Sequence, residues 1–333
     1  MLTTTRRLGR EGPVLPAIGL GCMGMSDAYG PADETESLAT IEAALDAGVS
    51  VLDTGDFYGS GHNEMLVGRA LRGGRRDRAF VQVKFGALRN PAGGFVGIDA
   101  RPAAVKNFLA MTLRRLGTDH VDLYQPARVD PAVPIEDTVG AIADLVRAGY
   151  VRHIGLSEAG PDTIRRAHAT HPIAALQIDY SLMSRGIEAA ILPTCRELGV
   201  GVTAYGVLGR GLLGGSAPAG TSDFRAHSPR FQGENGERNR ALAEALRRVA
   251  EARGATPAQL AIAWALSRGE DVLPLVGARR RDRLAEALGA ADLVLSPEEI
   301  AAIEAAVPAA AVAGSRYDPG QMALLDSERA PAA

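Results

Sequence analysis

The feature that most constrains this chain is an alternation. A short β-branched apolar run is followed by an amphipathic stretch of helical period, again and again between residues 34 and 276. Helical stretches over 34–47, 63–71, 102–116, 136–148, 161–169, 187–198, 238–253 and 257–268 separate strands at 49–53, 80–84, 121–124, 153–156, 175–178, 199–205 and 272–276. Gly48, Gly117 and Gly149 stand just past three of these helices, where a left-handed C-cap costs least. Strands alternating with helices argue for a parallel sheet, and nearly continuous apolar strands argue that both its faces are covered. Seven strands can be counted, and an eighth is expected near Ile18 or within 14–21. Alternation alone leaves two architectures open, a closed barrel and a doubly wound open sheet.

No linker or composition break divides the 333 residues, so one domain over 1–333 is expected, with a core over 8–317 and a tail over 318–333. The residues after Leu325 are polar or Ala/Pro-rich and are expected to fray. The stretch 206–237, rich in Gly, Ser and Arg, reads as either a mobile or a functional loop. A hydrophobic content of 46% allows a large core, while a net charge of -3 supplies no global field for nucleic acid or anionic lipid. Cys22 and Cys195 lie far apart and in no metal-ligand spacing, so the expectation is a reducing cytoplasm and no metal. Residues 1–10 are polar, unlike a signal peptide, and no apolar run reaches the roughly 18 residues of a membrane span.

Gly19-Leu20-Gly21-Cys22-Met23-Gly24 satisfies the G-x-G-x-x-G dinucleotide pattern. In such a unit the third glycine opens a helix, yet turn residues follow here and no helical period begins before Glu34. A glycine-rich strand exit is the better reading. More informative is Val51-Leu52-Asp53-Thr54-Gly55-Asp56-Phe57-Tyr58-Gly59, where an apolar strand discharges two carboxylates and a tyrosine into a Gly-bounded loop. The next strand, Val81-Gln82-Val83-Lys84, carries a lysine at the same C-terminal end, where barrels keep their chemistry. Adjacent parallel strands would gather Asp53, Tyr58 and Lys84. A lysine facing inward needs a partner, which Asp53 can be, and its charge is expected to lower the pKa of Tyr58 toward use as a general acid. The bland alternative is an incidental surface loop.

The segments 19–31, 52–71, 83–86, 114–124, 133–158, 175–185 and 204–215, taken in order, resemble the aldo-keto reductase family from about Leu8 to Tyr317. The resemblance implies a (β/α)8 TIM barrel preceded by an N-terminal β-hairpin, and reduction of an aldehyde or ketone with NADPH. It implies that Asp53, Tyr58 and Lys84 are three of the family's four catalytic residues, with Tyr58 protonating the carbonyl oxygen. Ser157, Glu158 and Gln177 match the positions that hold the nicotinamide carboxamide, and Tyr205 matches the ring that stacks on the nicotinamide. Gly206, Leu208, Gly209, Arg210, Gly211 and Leu212 match the segment along the pyrophosphate. Arg279, Arg283 and Glu286 match the adenosine end, where guanidinium suits a 2′-phosphate and so favours NADPH. Gly21 and Met23 are also expected at the cofactor, and Tyr29, Phe57, Phe85 and Arg128 in the substrate pocket.

Two positions depart from the family. Ala127 stands where the fourth catalytic residue, a histidine, is usual, and Ala287 stands where an asparagine commonly meets the adenine. His120 lies at the wrong end of its strand to replace that histidine. Loss of one oxyanion donor costs on the order of 10²–10³ in rate elsewhere. Ala127 therefore leaves three readings: a substrate that supplies its own polar group or needs room, a resemblance to a branch acting on pyridoxal, and a nicotinamide-binding sensor or partner-binding subunit with little turnover.

Overall fold

The computed structural model describes residues 2–26, 28–221 and 223–329. An antiparallel hairpin, β1 (Thr5–Arg7) with β2 (Val14–Pro16), opens the chain. β3 (Gly19–Gly21), β4 (Val51–Gly55) and β5 (Phe80–Phe85) follow, then a second hairpin of β6 (Ala87–Arg89) and β7 (Phe95–Ile98). β8 (Val121–Pro126), β9 (Val151–Ser157), β10 (Ile173–Asp179), β11 (Gly201–Tyr205) and β12 (Val272–Gly277) complete the strands. Eight of them close into a parallel barrel, β3-β4-β5-β8-β9-β10-β11-β12, with β12 paired back to β3. The barrel and its hairpin are as the resemblance implied, and β3 is the eighth strand that periodicity could not place.

The helices between the strands are α1 (Glu34–Asp46), α2 (His62–Ala70), α3 (Pro102–Leu116), α4 (Ile135–Arg147), α5 (Pro161–Thr170), α6 (Ile191–Leu198), α7 (Gly233–Arg253) and α8 (Pro257–Ser267). α9 (Arg281–Leu288) and α10 (Pro297–Ala306) follow the last strand. The helix expected over 187–198 is shorter: a single turn at Gly186–Glu188 precedes α6. Pro193 explains this, because its ring would clash with the carbonyl four residues back in any helix running through from 187. α7 begins five residues before its expected start, in the polar stretch Gly-Glu-Asn-Gly-Glu that carries no apolar period. The expected loop 206–237 ends at 232, where α7 takes over; it carries short 3-10 turns, and a buried Asp223–Arg225 pair at 2.6 Å ties it together. Nor is the tail frayed through 329: Asp326 accepts from the Gly160 amide at 2.8 Å and Ser327 donates to Glu158 at 2.6 Å. Residues 330–333 lie outside the described residues.

Strand parity sorts the barrel into two cores. Leu52, Val81, Val83, Tyr124, Leu156, Leu176 and Val202 belong to the large cluster packed under the helices. Val51, Phe80, Leu123, Ala175 and Leu273 form a second cluster inside the barrel, closed from below by Leu8 and Leu15 of the hairpin region. One pleat further up each strand, the same interior face turns polar: Asp53, Gln82, Gln125, Ser157, Gln177 and Thr203, all buried. The barrel thus has an apolar floor and a polar upper storey, where the chemistry sits.

The floor plug is tight. A Cβ on Gly201 would lie 2.6 Å from the Gly9 nitrogen and 3.0 Å from the Leu8 carbonyl carbon, both backbone, so neither can swing away. Gly201→Ala is therefore expected to destabilise the fold by about 1–3 kcal/mol. Gly140→Ala, in α4 with nothing within 4 Å of the added methyl, is expected to be neutral or to stabilise by up to about 1 kcal/mol. Urea denaturation of both variants checks this; equal midpoints would show that the plug yields freely.

Candidate active site

β4 and β5 run side by side with Asp53 opposite Gln82 and Gly55 opposite Lys84. Lys84 therefore sits one pleat above Asp53 and reaches down to it, with Nζ 2.6 and 2.8 Å from the two carboxylate oxygens. Gln82 and Gln177 donate to the same Oδ1 at 3.1 and 2.7 Å. A buried ion pair holds only when its remaining hydrogen-bonding capacity is met, and these amides meet it. Burial pushes the Lys84 ammonium down while the Asp53 charge pulls it back up.

Tyr58 opens the turn Tyr58–Gly61 after β4 and is 7% exposed. Its ring meets Phe57 edge-on at 4.7 Å, and Lys84 Nζ lies 5.1 Å from its centroid. Asp53, Tyr58 and Lys84 are thus brought together as the sequence implied. The expected depression of the Tyr58 pKa is not found. Burial first, and then the Asp53 charge, push the phenol well above its ordinary value. The Lys84 charge is already spent on Asp53, so desolvation wins and the phenol keeps its proton at neutral pH.

Ala127 is 1% exposed and follows β8 two residues after the inward-facing Gln125, whose amide finds no hydrogen-bond partner for either polar atom. His120 is held by Asp119 at 2.6 Å, before β8 begins and far from Tyr58 along the strand. Arg128 turns its guanidinium to the Ala127 carbonyl at 2.6 Å and to the Tyr317 hydroxyl at 3.4 Å. Phe57 borders Tyr58, under the Arg89 guanidinium of β6 at 5.8 Å. Tyr29 packs edge-on against Phe224 of the long loop at 5.0 Å. Phe85 is a correction: it is fully buried between Tyr124 and Phe108, with ring centroids at 4.3 and 6.3 Å. Counting along β5 explains it, since Lys84 points inward and its neighbour must point out to the helices.

The cofactor residues divide. Ser157 Oγ is buried on the interior face without a partner, a group available to a polar ligand. Tyr205 is half-buried, its hydroxyl pinned to Glu158 Oε1 at 2.6 Å, which fixes the ring plane at the rim. Gly206, Gly209, Arg210 and Gly211 all take positive φ, a run of turns that brings backbone amides close to one another. Gly21 ends β3 opposite Asp53, and Met23 begins the single turn where a dinucleotide fold would need a full helix. Leu208 and Leu212 line the inside of the Gly206 turn segment against the main core. These residues fit a nicotinamide dinucleotide laid across the rim.

Glu158 and Gln177 do not wait for one. The Glu158 carboxylate accepts from Arg316 at 3.0 and 2.8 Å, Ser327 at 2.6 Å, Tyr205 at 2.6 Å and the Asp179 amide at 3.0 Å. Burial alone would raise its pKa, but the Arg316 charge and hydrogen bonds, with Arg128 and Ser327, hold it down at about 2. Its capacity is committed to the C-terminal residues, and the Gln177 amide donates to Asp53. At the far end, Arg279 donates to the carbonyls of Tyr29, Gly30 and Pro31, each at 3.2 Å, and Arg283 pairs with Glu286 at 2.8 Å. Ala287 is buried on the core side of α9.

Arg316 and Tyr317 were invisible as site residues in the sequence. Tyr317 places its hydroxyl 2.9 Å from that of Tyr205 and lies under the Arg210 guanidinium at 4.0 Å.

Residues 17–308 match the Aldo/keto reductase family. A "Probable aldo-keto reductase 1" of Glycine max is 44% identical over 319 residues, covering 93% of this chain and 91% of that one. A glycerol dehydrogenase of Gluconobacter oxydans superposes with a TM-score of 0.82 at 28% identity, over 100% of this chain and 99% of its own. An aldo/keto reductase of Klebsiella pneumoniae in complex with NADP and acetate gives 0.73 at 30% identity, over 94% and 98%. A closed barrel with an inward Asp–Lys pair under a rim tyrosine defines a carbonyl-reducing class that uses NAD(P)H. The chain belongs to the aldo/keto reductase family.

Asp56, the second carboxylate of the motif, is half-buried behind the site. Its Oδ2 accepts from the Gly86 amide at 3.2 Å, Oδ1 has no partner, and Glu64, bound to Arg115, lies near. Burial first and the Glu64 charge second raise its pKa to about 7. A raised carboxyl holds a proton in the folded state that the unfolded chain has lost, so its stabilising contribution is full near pH 4 and gone above about pH 7. Asp56→Asn should remove that slope. Its stability relative to the parent should climb between pH 5 and 8, by on the order of 1–3 kcal/mol. Denaturation curves at both pH values test it; parallel profiles would show that Asp56 is ionised throughout.

Proposed function

We propose that the chain reduces an aldehyde or ketone to the alcohol with NADPH, and that Tyr58 is the general acid. The observation that carries this is the buried phenol of Tyr58 held beside an Asp53–Lys84 pair at the top of a barrel. NADPH supplies the hydride to the carbonyl carbon when bound. Tyr58 donates a hydrogen bond to the carbonyl oxygen and gives up its proton as that oxygen becomes an alkoxide. Burial keeps the phenol loaded until then, and the Arg128 guanidinium, whose charge pulls against that burial, limits the cost of the phenolate left behind. Ser157 and the turn 206–212 would hold the cofactor, and Tyr205 would face its ring. The relative crystallised with NADP supports NADPH, as do Arg279 and Arg283 beyond β12.

A methyl at Ala127 in place of an imidazole favours a substrate bulkier than a small aldehyde, pyridoxal being one candidate. The same residue supports a second reading, a nicotinamide-binding sensor or partner-binding subunit with little turnover, because alanine donates nothing to the oxyanion.

Tyr58→Phe keeps the ring and removes the acid. Turnover on an aldehyde panel should fall by at least about 10² with NADPH affinity nearly unchanged. Retained turnover would move the acid to another group. For cofactor choice, replacing Arg279 and Arg283 together with Ala should weaken NADPH at least about tenfold more than NADH in fluorescence titrations. Equal losses would mean that these guanidiniums read something other than the 2′-phosphate.

A further inference from the structure

The mouth of the barrel carries positive charge that its own carboxylates leave unclaimed. Glu158, Asp179 and Glu328 converge on Arg316, at 2.8, 3.4 and 2.7 Å. Asp53 is taken by Lys84 and Asp223 by Arg225. Of the guanidiniums that remain among the described residues, two share one aromatic ring. Among the described residues Arg128 has no carboxylate within 4.0 Å; its contacts are its neighbour's carbonyl and the Tyr317 hydroxyl. Arg210 has an 8% exposed side chain, both terminal nitrogens lack a hydrogen-bond partner, and Asp179 stands at 4.0 Å, already shared with Arg316. Both guanidiniums lie over the one Tyr317 ring, 5.7 Å away for Arg128 and 4.0 Å for Arg210.

Arg210 is a desolvated cation without hydrogen-bond partners and Arg128 meets only one carbonyl and one hydroxyl, so neither charge is neutralised, and in such a setting an incoming anion is bound far more strongly than in water. A guanidinium offers a planar fork that matches a carboxylate or a phosphate. Arg128 stands where that fork meets the reacting carbonyl's surroundings. It follows β8, whose Gln125 is in register with Lys84, and its charge reaches both Lys84 and Tyr58. Tyr317 shows the same field: against the upward push of burial, Arg210 and Arg128 draw its phenol below the ordinary value.

We infer that Arg128, set against Tyr317, reads an anionic group on the carbonyl substrate, so that the chain prefers aldehydes or ketones carrying a carboxylate or phosphate. This rests on the reductase reading above. The anion has a second possible source, the cofactor pyrophosphate, and Arg210 on the same ring is the guanidinium nearer the turn expected to hold it.

The test compares kcat/KM for 4-carboxybenzaldehyde and its methyl ester, with NADPH, in the parent, Arg128→Met, Arg128→Lys and Arg210→Met. The acid-to-ester ratio cancels any general loss of activity or folding. It should fall at least about tenfold in Arg128→Met and recover in part in Arg128→Lys, which keeps the charge and loses the fork. The parent's ratio should also fall with added salt. NADPH dissociation constants, measured in parallel, separate the two sources. A ratio unchanged in Arg128→Met overturns the proposal, and if NADPH binding weakens instead, the guanidinium serves the pyrophosphate. Should the parent reduce neither aldehyde, the reductase reading fails in its own right. The anion site is then read by calorimetry of 4-(hydroxymethyl)benzoate and its methyl ester with NADPH-loaded protein. Preference for the acid, lost in Arg128→Met, supports the site; equal binding of acid and ester overturns it.

Discussion

The site depends first on the buried pair of Asp53 and Lys84. A carboxylate and an ammonium inside a barrel lose most of their hydration, and removing either partner of such a pair costs about 3–5 kcal/mol. Here the pair is kept by two amides, Gln82 and Gln177, that both donate to Oδ1 of Asp53. That arrangement needs the closed barrel. Gln82 comes from the neighbouring strand, while Gln177 reaches across the interior from β10, four strands further round. Charge neutralisation within the pair has a chemical consequence. Lys84 has little field left to draw a proton from Tyr58, so the tyrosine stays an acid with its proton on.

A second polar knot sits on the opposite rim. Arg316 joins Glu158, Asp179 and Glu328, and Glu158 also anchors the hydroxyls of Tyr205 and Ser327. Five segments distant in sequence are fixed by one carboxylate and one guanidinium. Glu158 does this at a positive φ of 53°, a backbone conformation that non-glycine residues rarely hold without strong side-chain restraint. The knot makes the chain's last described residues part of the site: they orient the Tyr205 ring and carry Tyr317 to Arg128. A segment that looks dispensable by composition therefore shapes the mouth of the barrel.

What was legible in the sequence followed short-range rules. The helices had C-cap glycines and 3.6-residue periods, and the strands had β-branched runs. Asp53, Tyr58 and Lys84 could be gathered from two adjacent strands without knowing the rest of the fold. Phe85 was readable too, because a strand residue next to an inward lysine must face the other way. Its aromatic character suggested a pocket, but parity decides. Other features depend on distant partners. No local pattern around Glu158 announces that Arg316, 158 residues later, will take it. The polar tail suggested fraying because Asp326, Ser327 and Glu328 are polar, yet their polarity is what docks them onto the Gly160 amide, Glu158 and Arg316. The acidity of Tyr58 went the other way from expectation because a charge can be counted in a sequence, whereas desolvation cannot.

The end of β8 is rebuilt as a unit. Glycine at position 155 on the neighbouring strand leaves space for the Gln125 amide: a Cβ there would lie 2.7 Å from the Gln125 side-chain oxygen. Its amide replaces nothing in the Asp53–Lys84 network, and two residues on Ala127 presents only a methyl. Arg128 then contributes a guanidinium with no carboxylate partner among the described residues. A histidine at 127 would have supplied a donor whose charge changes near neutrality. The residues present supply a fixed cation one position further along, which stays charged at every pH the fold survives. With alanine at 127 the strand end lacks a titrating hydrogen-bond donor, and the permanent charge of Arg128 is what it keeps. A cation that does not titrate can act on the rest of the substrate where a missing donor can no longer act on its carbonyl.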